Sequence, residues 1–305
     1  MLPRERLVLE FWDRSRELSA NNEGYRNFAL KFFNMLLESD IKNGDLTTSS
    51  LIGKNKTISA HIIAKERGII AGLEELNFLN KGFKLKFLKK DGDKVKNNEV
   101  IAEINGSARK ILSEERANLN LLQRMSGIAT IVASLNKKFN SSIKLAATRK
   151  TLWGLLDKKA VSIGHGLTHR LNLNDGIIIK DNHLAMANHD FKKAIDSVKN
   201  KSKYVEIEVE NKKQALKAAA AIKNAIKTSE KNIFALMLDK INPAGIKSII
   251  KELKRNDLYS CILIEASGDI SSGNLISYSG CGVDILSMGS ITNSAKVLNM
   301  SLEVR

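Results

Sequence analysis

Residues 204–240 read YVEIEVENKKQALKAAAAIKNAIKTSEKNIFALMLDK. An apolar strand ends in polar residues, an alanine- and lysine-rich helical stretch follows, and a second apolar strand ends on Asp239 and Lys240. Strands that are apolar almost throughout and alternate with helices belong to parallel sheets buried on both faces. The pattern extends in both directions. IKLAATRK (143–150) and GIIIKDNH (176–183) precede it, and CILIEASG (261–268) and GVDILSMG (282–289) follow; with YVEIEVE (204–210) and IFALMLDK (233–240) they make six such strands. At roughly 25–30 residues per strand–helix unit, residues 143–296 have room for about six units, not the eight of a closed barrel. The expected fold class is α/β: an incomplete, about six-stranded barrel or an open doubly wound sheet, with a long helix over 113–137 available to cover the gap.

In an α/β barrel the chemistry gathers at the carboxyl ends of the strands. Here those ends carry Arg149, Lys150, Lys180, Asp181, His183, Glu208, Asp239, Ser267, Gly268 and Gly289, and His169 and Arg170 stand ahead of the second strand. Polar ends on all six strands are not a solubility pattern. The cations Arg149, Lys150, His169, Arg170 and Lys180 beside the acids Glu208 and Asp239 suit an anionic substrate carried by a divalent metal. Carboxylate oxygens with few soft ligands suit Mg²⁺. The turns at Ser267-Gly268 and Gly289, each read as preceding a helix, can present backbone N–H groups to a phosphate. Glu206 and Glu208 alternate onto one face, which points inward in a barrel, so both need partners. His183 reads as a cap or supporting group and Cys261 as core. These residues describe an enzyme acting on a phosphorylated, multiply anionic substrate.

The first hundred residues have a different texture. Helices are expected over 4–18 and 25–38, the second with Tyr25, Phe28, Ala29, Phe32 and Leu36 on one face. TISAHIIAKE (57–66), GIIAGLEEL (68–76), FKLKFLKK (83–90) and VIAEING (100–106) read as strands, with Asp91-Gly92-Asp93 as a hairpin turn. Ser113 reads as the cap of the long helix, and Gly127 inside that helix implies close packing. A length of 305 residues suggests two domains, and 43% hydrophobic with 27% charged residues is globular composition. No apolar run reaches the roughly 18 residues of a membrane span. MLPRERLVLEFWDR at the start is too charged for a signal peptide, and two cysteines are too few for a disulfide framework, so a cytoplasmic protein is expected. The net charge of +16 comes from lysines spread along the chain, and 5% aromatics disfavours a base-stacking surface; nucleic acid is not the expected partner.

In order along the chain stand Asp40-x-x-x-Gly44-Asp45-x-Thr47, Asp91-Gly92-Asp93-x-Val95, Glu115-Arg116-Ala117-x-Leu119-Asn120-x-Leu122-Gln123-Arg124-x-Ser126-Gly127, Thr148-Arg149-Lys150-Thr151, His169-Arg170-Leu171, Ile179-Lys180-Asp181-Asn182-His183, Glu206-x-Glu208-Val209-Glu210, Leu238-Asp239 and Glu265-Ala266-Ser267-Gly268. This series resembles the quinolinate phosphoribosyltransferase family, also called nicotinate-nucleotide pyrophosphorylase (carboxylating), from about residue 25 to the C-terminus. The resemblance implies an N-terminal α/β sandwich over 1–120, to which a C-terminal strand at 297–305 returns, and an incomplete α/β barrel over 121–296. It implies a pentosyltransferase of de novo NAD biosynthesis that couples quinolinate to phosphoribosyl pyrophosphate with Mg²⁺ and no organic cofactor. The products would be nicotinate mononucleotide, CO₂ and pyrophosphate.

Carried onto this chain, Arg149, Lys150, His169, Arg170 and Lys180 would bind quinolinate, with Arg116 arriving from the second subunit of a homodimer or higher oligomer. Lys150, Lys180, Glu208, Asp239, Ser267, Gly268 and Gly289 would bind phosphoribosyl pyrophosphate. Glu208 and Asp239 would hold the metal, largely through water, and act with Lys150 and Lys180 in catalysis. The chain departs from the family pattern at Leu152-Trp153-Gly154, His165, Lys240, Asp269 and Asn293. A compensating Lys240–Asp269 pair is one expectation from those departures. Two other readings of the same scaffold are a divergent paralogue with a different anionic acceptor and a non-catalytic basic protein that binds nucleic acid.

Overall fold

The structure, a computed structural model, describes residues 3–139, 142–229 and 232–305. Among the described residues the strands in chain order are β1 (Thr57–Ala64), β2 (Gly68–Ile69), β3 (Lys84–Phe87), β4 (Lys94–Val95), β5 (Glu99–Ser107), β6 (Lys144–Ala146), β7 (Ile177–Ile179), β8 (Tyr204–Val209), β9 (Ile233–Asp239), β10 (Leu263–Ser267), β11 (Ile285–Ser287) and β12 (Met300–Val304). The chain divides into two compact units that interleave in sequence. One comprises Met1–Arg14, Leu135–Lys150 and Leu167–Ser290; the other comprises Ser15–Ser134, Thr151–Gly166 and Ile291–Arg305.

The first unit holds a parallel sheet in the order β6-β11-β10-β9-β8-β7. β7 to β11 lie side by side in chain order and β11 also pairs with β6, which leaves an open seam between β6 and β7. The barrel is therefore incomplete, with six strands. β8, β9 and β10 are buried along nearly their whole length, as strands covered on both faces must be. The helices Lys212–Ile226 and Pro243–Arg255 are each capped by an asparagine side chain, Asn211 and Asn242, that accepts from a first-turn N–H. At the seam Leu167 runs beside β6, donating to the Leu145 carbonyl at 2.8 Å and accepting from Ala147 at 2.9 Å. The helix Arg4–Trp12 packs Val8, Phe11 and Trp12 against Ala146, Leu167, Ala235, Leu263 and Ile285. This short helix therefore packs against residues of β6, β9, β10 and β11 within the barrel unit. The long helix expected for the gap runs Ala108–Phe139, and most of it belongs to the second unit.

The second unit is built on an antiparallel sheet in the order β12-β1-β5-β3. Ala60, Ile62 and Ala64 of β1, Ile101 and Ile104 of β5 and Met300 of β12 pack with Ile111, Leu119 and Leu122 of the long helix. β12 pairs along β1 from Ala60 opposite Val304 to Ala64 opposite Met300, so the chain's end completes this sheet. Gly127 has a physical reason: a Cβ there would lie 2.0 Å from the Lys296 carbonyl oxygen.

Several local expectations differ from the structure. The first helix stops at Trp12, and only a 3₁₀ turn covers Ser15–Glu17. GIIAGLEEL is a strand only at Gly68–Ile69; Gly72, at φ 103°, turns the chain into the helix Leu73–Leu79, whose first N–H donates to Asp91 at 2.9 Å. Asp91-Gly92-Asp93 is a turn but not a hairpin, because β3 pairs with β5 and β4 with β2. The long helix begins at Ala108, so Ser113 lies inside it and donates its hydroxyl to Asp45 at 2.9 Å. In each case a tertiary partner outweighed a local signal.

Candidate active site

The strand ends form a ring of neighbouring side chains. Lys180, just past β7, makes an ion pair with Glu208 of β8. Asp239 ends β9 and lies in register with Ser267 of β10. Gly268, at φ 81°, sits so close to Asp239 that a Cβ would fall 2.8 Å from its Oδ1. Gly289, past β11, sits against Lys150, past β6: a Cβ would fall 3.0 Å from Lys150 Cδ. Across the seam Arg149 raises the electrostatic cost of a charged Arg170. All the barrel residues expected at the site thus stand at one end of the sheet. The Ser267-Gly268 turn leads into a bend, not a helix, whereas Gly289 precedes the short helix Ser290–Asn293.

Arg170 is half-buried, and Nη1 donates to the Gly176 carbonyl at 2.7 Å. Burial first, then the Arg149 guanidinium, pushes its pKa down. The carboxylates of Glu206 and Asp175 act in the opposite sense. Lys150 and Lys180 add exposed cations around the two arginines. His183 plays the capping part: its Nδ1 accepts from the Lys180 N–H at 3.0 Å and starts the helix Asp181–Met186.

Beneath this ring lies a buried polar layer. Glu265 is fully buried; its Oε2 accepts from Trp12 Nε1 at 2.8 Å and lies 3.2 Å from His169 Nε2, and its Oε1 accepts from the Ser287 hydroxyl at 2.5 Å. Burial opposes its charge, but His169, Ser287 and Glu206 hold its pKa low. Glu206, also fully buried, lies 3.4 Å from His169 Nε2, and burial with the charge of Glu265 pushes its pKa up to about 8. The expectation of two inward glutamates holds, with His169 as the neighbour of one and Lys180 of the other.

His169 is buried, and both of its ring nitrogens are engaged: Nδ1 accepts from the Arg170 N–H at 2.8 Å. Burial disfavours its cation, whereas the charges of Glu265 and Glu206 favour it. The Arg170 contact decides the form, because it requires a lone pair on Nδ1 and so places the proton on Nε2. By distance His169, Glu206 and Glu265 could surround a metal ion. The chemistry does not suit one, since Nε2 carries a proton and Trp12 and Ser287 already donate to Glu265.

Arg116 lies in the other unit, 58% exposed, beside a surface pocket of about 460 Å³ lined by Asp40, Asp45, Leu46 and Ser113. Asp269 and Lys240 are both exposed with left-handed backbones, and no ion pair joins them; the expected compensating pair does not form. Trp153 packs its ring 5.1 Å from that of Phe32. Sequence reasoning gave no role to Trp12 or Ser287, and quoted Glu265 without one. A carboxylate inside the apolar strand CILIEASG was the available signal; nothing in the sequence pointed to Trp12.

An open six-stranded α/β barrel whose strand ends present paired arginines, lysines and two acids is the scaffold of an enzyme for a multiply anionic substrate. The comparisons make this particular. Residues 45–126 match the N-terminal domain and residues 128–303 the C-terminal domain of quinolinate phosphoribosyl transferase. The chain is 37% identical over 284 residues to a probable nicotinate-nucleotide pyrophosphorylase (carboxylating) of Bacillus subtilis, covering 90% of this chain and 92% of that protein. It is 36% identical over 280 residues to the protein of the same description from Methanothermobacter thermautotrophicus, covering 88% and 96%. The solved nicotinate-nucleotide pyrophosphorylase of Francisella tularensis superposes with a TM-score of 0.78 at 31% identity, covering 92% of this chain and 96% of that one. The chain belongs to the quinolinate phosphoribosyltransferase family.

Proposed function

We propose that this protein transfers the phosphoribosyl group of phosphoribosyl pyrophosphate to quinolinate, releasing pyrophosphate and CO₂ and forming nicotinate mononucleotide. The observation that carries this reading is the gathering of Arg149, Lys150, Arg170 and Lys180 with Glu208 and Asp239 at one end of the barrel. A dicarboxylate offsets the mutual repulsion of the guanidiniums, which a monocarboxylate does only in part.

Glu208 and Asp239 offer hard carboxylate oxygens from adjacent strands, a donor set that would suit Mg²⁺. Held there, Mg²⁺ would offset the charge that builds on the departing diphosphate. Arg149 and Arg170 orient the two carboxylates so that the ring nitrogen faces C1 of the ribose. Lys150 and Lys180 lie between acceptor and sugar phosphate, and Glu208 fixes the Lys180 ammonium. The backbone at Ser267-Gly268 and Gly289 receives the 5′-phosphate. The ring nitrogen forms the bond to C1 as the C1–O bond to diphosphate breaks. The pyridinium then takes up the electron pair of the neighbouring carbon–carboxylate bond, CO₂ leaves, and that carbon gains a proton. The fixed cations favour this charge redistribution without reorganising. Arg116, exposed on the long helix, serves the site of a second subunit in a homodimer, and the protein works in the cytoplasm; among the described residues no helix is long and apolar enough to cross a membrane.

The test is product identification by mass spectrometry with Mg²⁺, phosphoribosyl pyrophosphate and either quinolinate or nicotinate. Nicotinate mononucleotide and CO₂ from quinolinate, with none of the mononucleotide from nicotinate, is the expected result. No product from quinolinate would overturn the reading.

A further inference from the structure

We propose that Trp12 and Glu265 are positioning residues for this reaction: acting through the His169 ring, they fix the strained turn that aims Arg170 at the acceptor. The inference rests on the function proposed above.

The chain of contacts is continuous. Trp12, at the end of the helix Arg4–Trp12, is wholly buried and meets both Glu265 and the 168–170 turn. Its indole N–H donates to Glu265 at 2.8 Å, and its carbonyl accepts from the His169 N–H at 2.7 Å. Glu265 spends the same Oε2 on the His169 ring. His169 has φ 56°, a left-handed conformation that a residue with a Cβ adopts only when its surroundings impose it. Four contacts impose it here: the Trp12 carbonyl, the Thr168 hydroxyl on the His169 carbonyl at 2.9 Å, Glu265 on Nε2, and the Arg170 N–H on Nδ1. The last of these fixes the peptide that carries the Arg170 side chain.

A plain core role fits these groups poorly. A buried carboxylate is costly, and well-packed apolar residues in its place are often as stable or more so. Glu265 keeps its charge with an indole, a hydroxyl and an imidazole around it. The His169 ring leads from that charge to the backbone of Arg170 at the substrate end of the barrel. His169 is thereby assigned to holding Arg170 from behind, since both ring nitrogens are turned to the protein. The adjacent Phe11 supplies the contrast: it belongs to the same apolar cluster and contacts rings of Trp12 and Tyr204.

The experiment compares Trp12→Phe and Glu265→Gln with Phe11→Leu by steady-state kinetics, thermal unfolding and crystallography. Both positioning variants are expected to raise the KM for quinolinate about tenfold, the size of one lost charge-assisted hydrogen bond, and to leave the KM for phosphoribosyl pyrophosphate within twofold. Their double variant should cost no more than either single change. Phe11→Leu should lower Tm with both KM values unchanged. A crystal structure of Trp12→Phe should show His169 out of its left-handed conformation and the Arg170 N–H away from Nδ1, a readout independent of which acceptor is used. Wild-type inactivity on quinolinate would count against the proposed function alone. An Arg170 turn left unmoved in the Trp12→Phe crystal, or a quinolinate KM within twofold of wild type in an active enzyme, would overturn the positioning role.

Discussion

The two units treat an arginine withdrawn from solvent in different ways. In the antiparallel unit Arg124 is 7% exposed and meets both oxygens of Asp157, Nε to Oδ1 at 3.0 Å and Nη2 to Oδ2 at 2.9 Å, with the Thr292 carbonyl as a third acceptor. Asp157 also accepts from the backbone N–H groups of Leu152 and Trp153 at 2.9 and 3.1 Å. In the barrel unit Arg170 is half-buried, hydrogen-bonded to a carbonyl, and set beside another guanidinium. Where arginine holds the fold it is clasped by one carboxylate; at the site a second guanidinium opposes its charge while the carboxylates of Glu206 and Asp175 favour it.

Removing each arginine separates the two roles. Arg124→Ala leaves Asp157 buried without its partner and should lower unfolding free energy by about 3–5 kcal/mol in a denaturant titration. An unchanged midpoint would mean that the pair does not hold the unit together. Arg170→Ala should instead weaken quinolinate binding roughly 10- to 100-fold while Tm changes little, because relief of the Arg149 repulsion offsets the lost attraction to Glu206 and Asp175 and the lost Gly176 hydrogen bond. A large drop in Tm would erase the contrast.

Buried acids sharpen the same comparison. In the barrel Glu206 lies near His169 and Glu265 with neither oxygen hydrogen-bonded, whereas in the other unit Glu75 accepts from the Tyr25 hydroxyl on Oε1, at 2.5 Å, and Oε2 makes no hydrogen bond. Burial pushes the Glu75 pKa from 4.5 up to about 7. A raised carboxyl pKa stabilises the fold fully below the unfolded value, and that stability is lost as pH climbs through the folded value. Raising pH from 5 to 7 should therefore cost on the order of 2 kcal/mol, and Glu75→Gln should flatten that slope. Equal slopes for both proteins would remove Glu75 as the cause. The smallest effect is expected at Gly268, where alanine must adopt φ 81° and crowd Asp239. The KM for phosphoribosyl pyrophosphate should rise roughly tenfold or less with quinolinate binding intact; a matching change for both substrates would argue against a sugar-phosphate role there.

The barrel was legible because its signal is repeated: apolar strands ending in polar residues, IKLAATRK to GVDILSMG, recur at a spacing that sets both the strand count and the active end. The antiparallel unit was less so. GIIAGLEEL satisfies a strand pattern, and only the Gly72 turn with its Asp91 cap makes most of it helix. Arg149, Lys180 and Asp239 could be read off strand ends, whereas Trp12 and Glu265 are 253 positions apart and meet only in the folded core. The inward turn of the His169 ring was equally hidden, since it depends on a backbone angle that sequence does not display.

The claim that the site is built for two carboxylates is tested most directly by calorimetric titration of the wild-type protein with quinolinate and with nicotinate under one set of conditions. The paired arginines predict quinolinate binding at least about tenfold tighter, a preference that Arg170→Ala abolishes. Equal affinities for the two acids, or a preference that survives Arg170→Ala, would contradict the account.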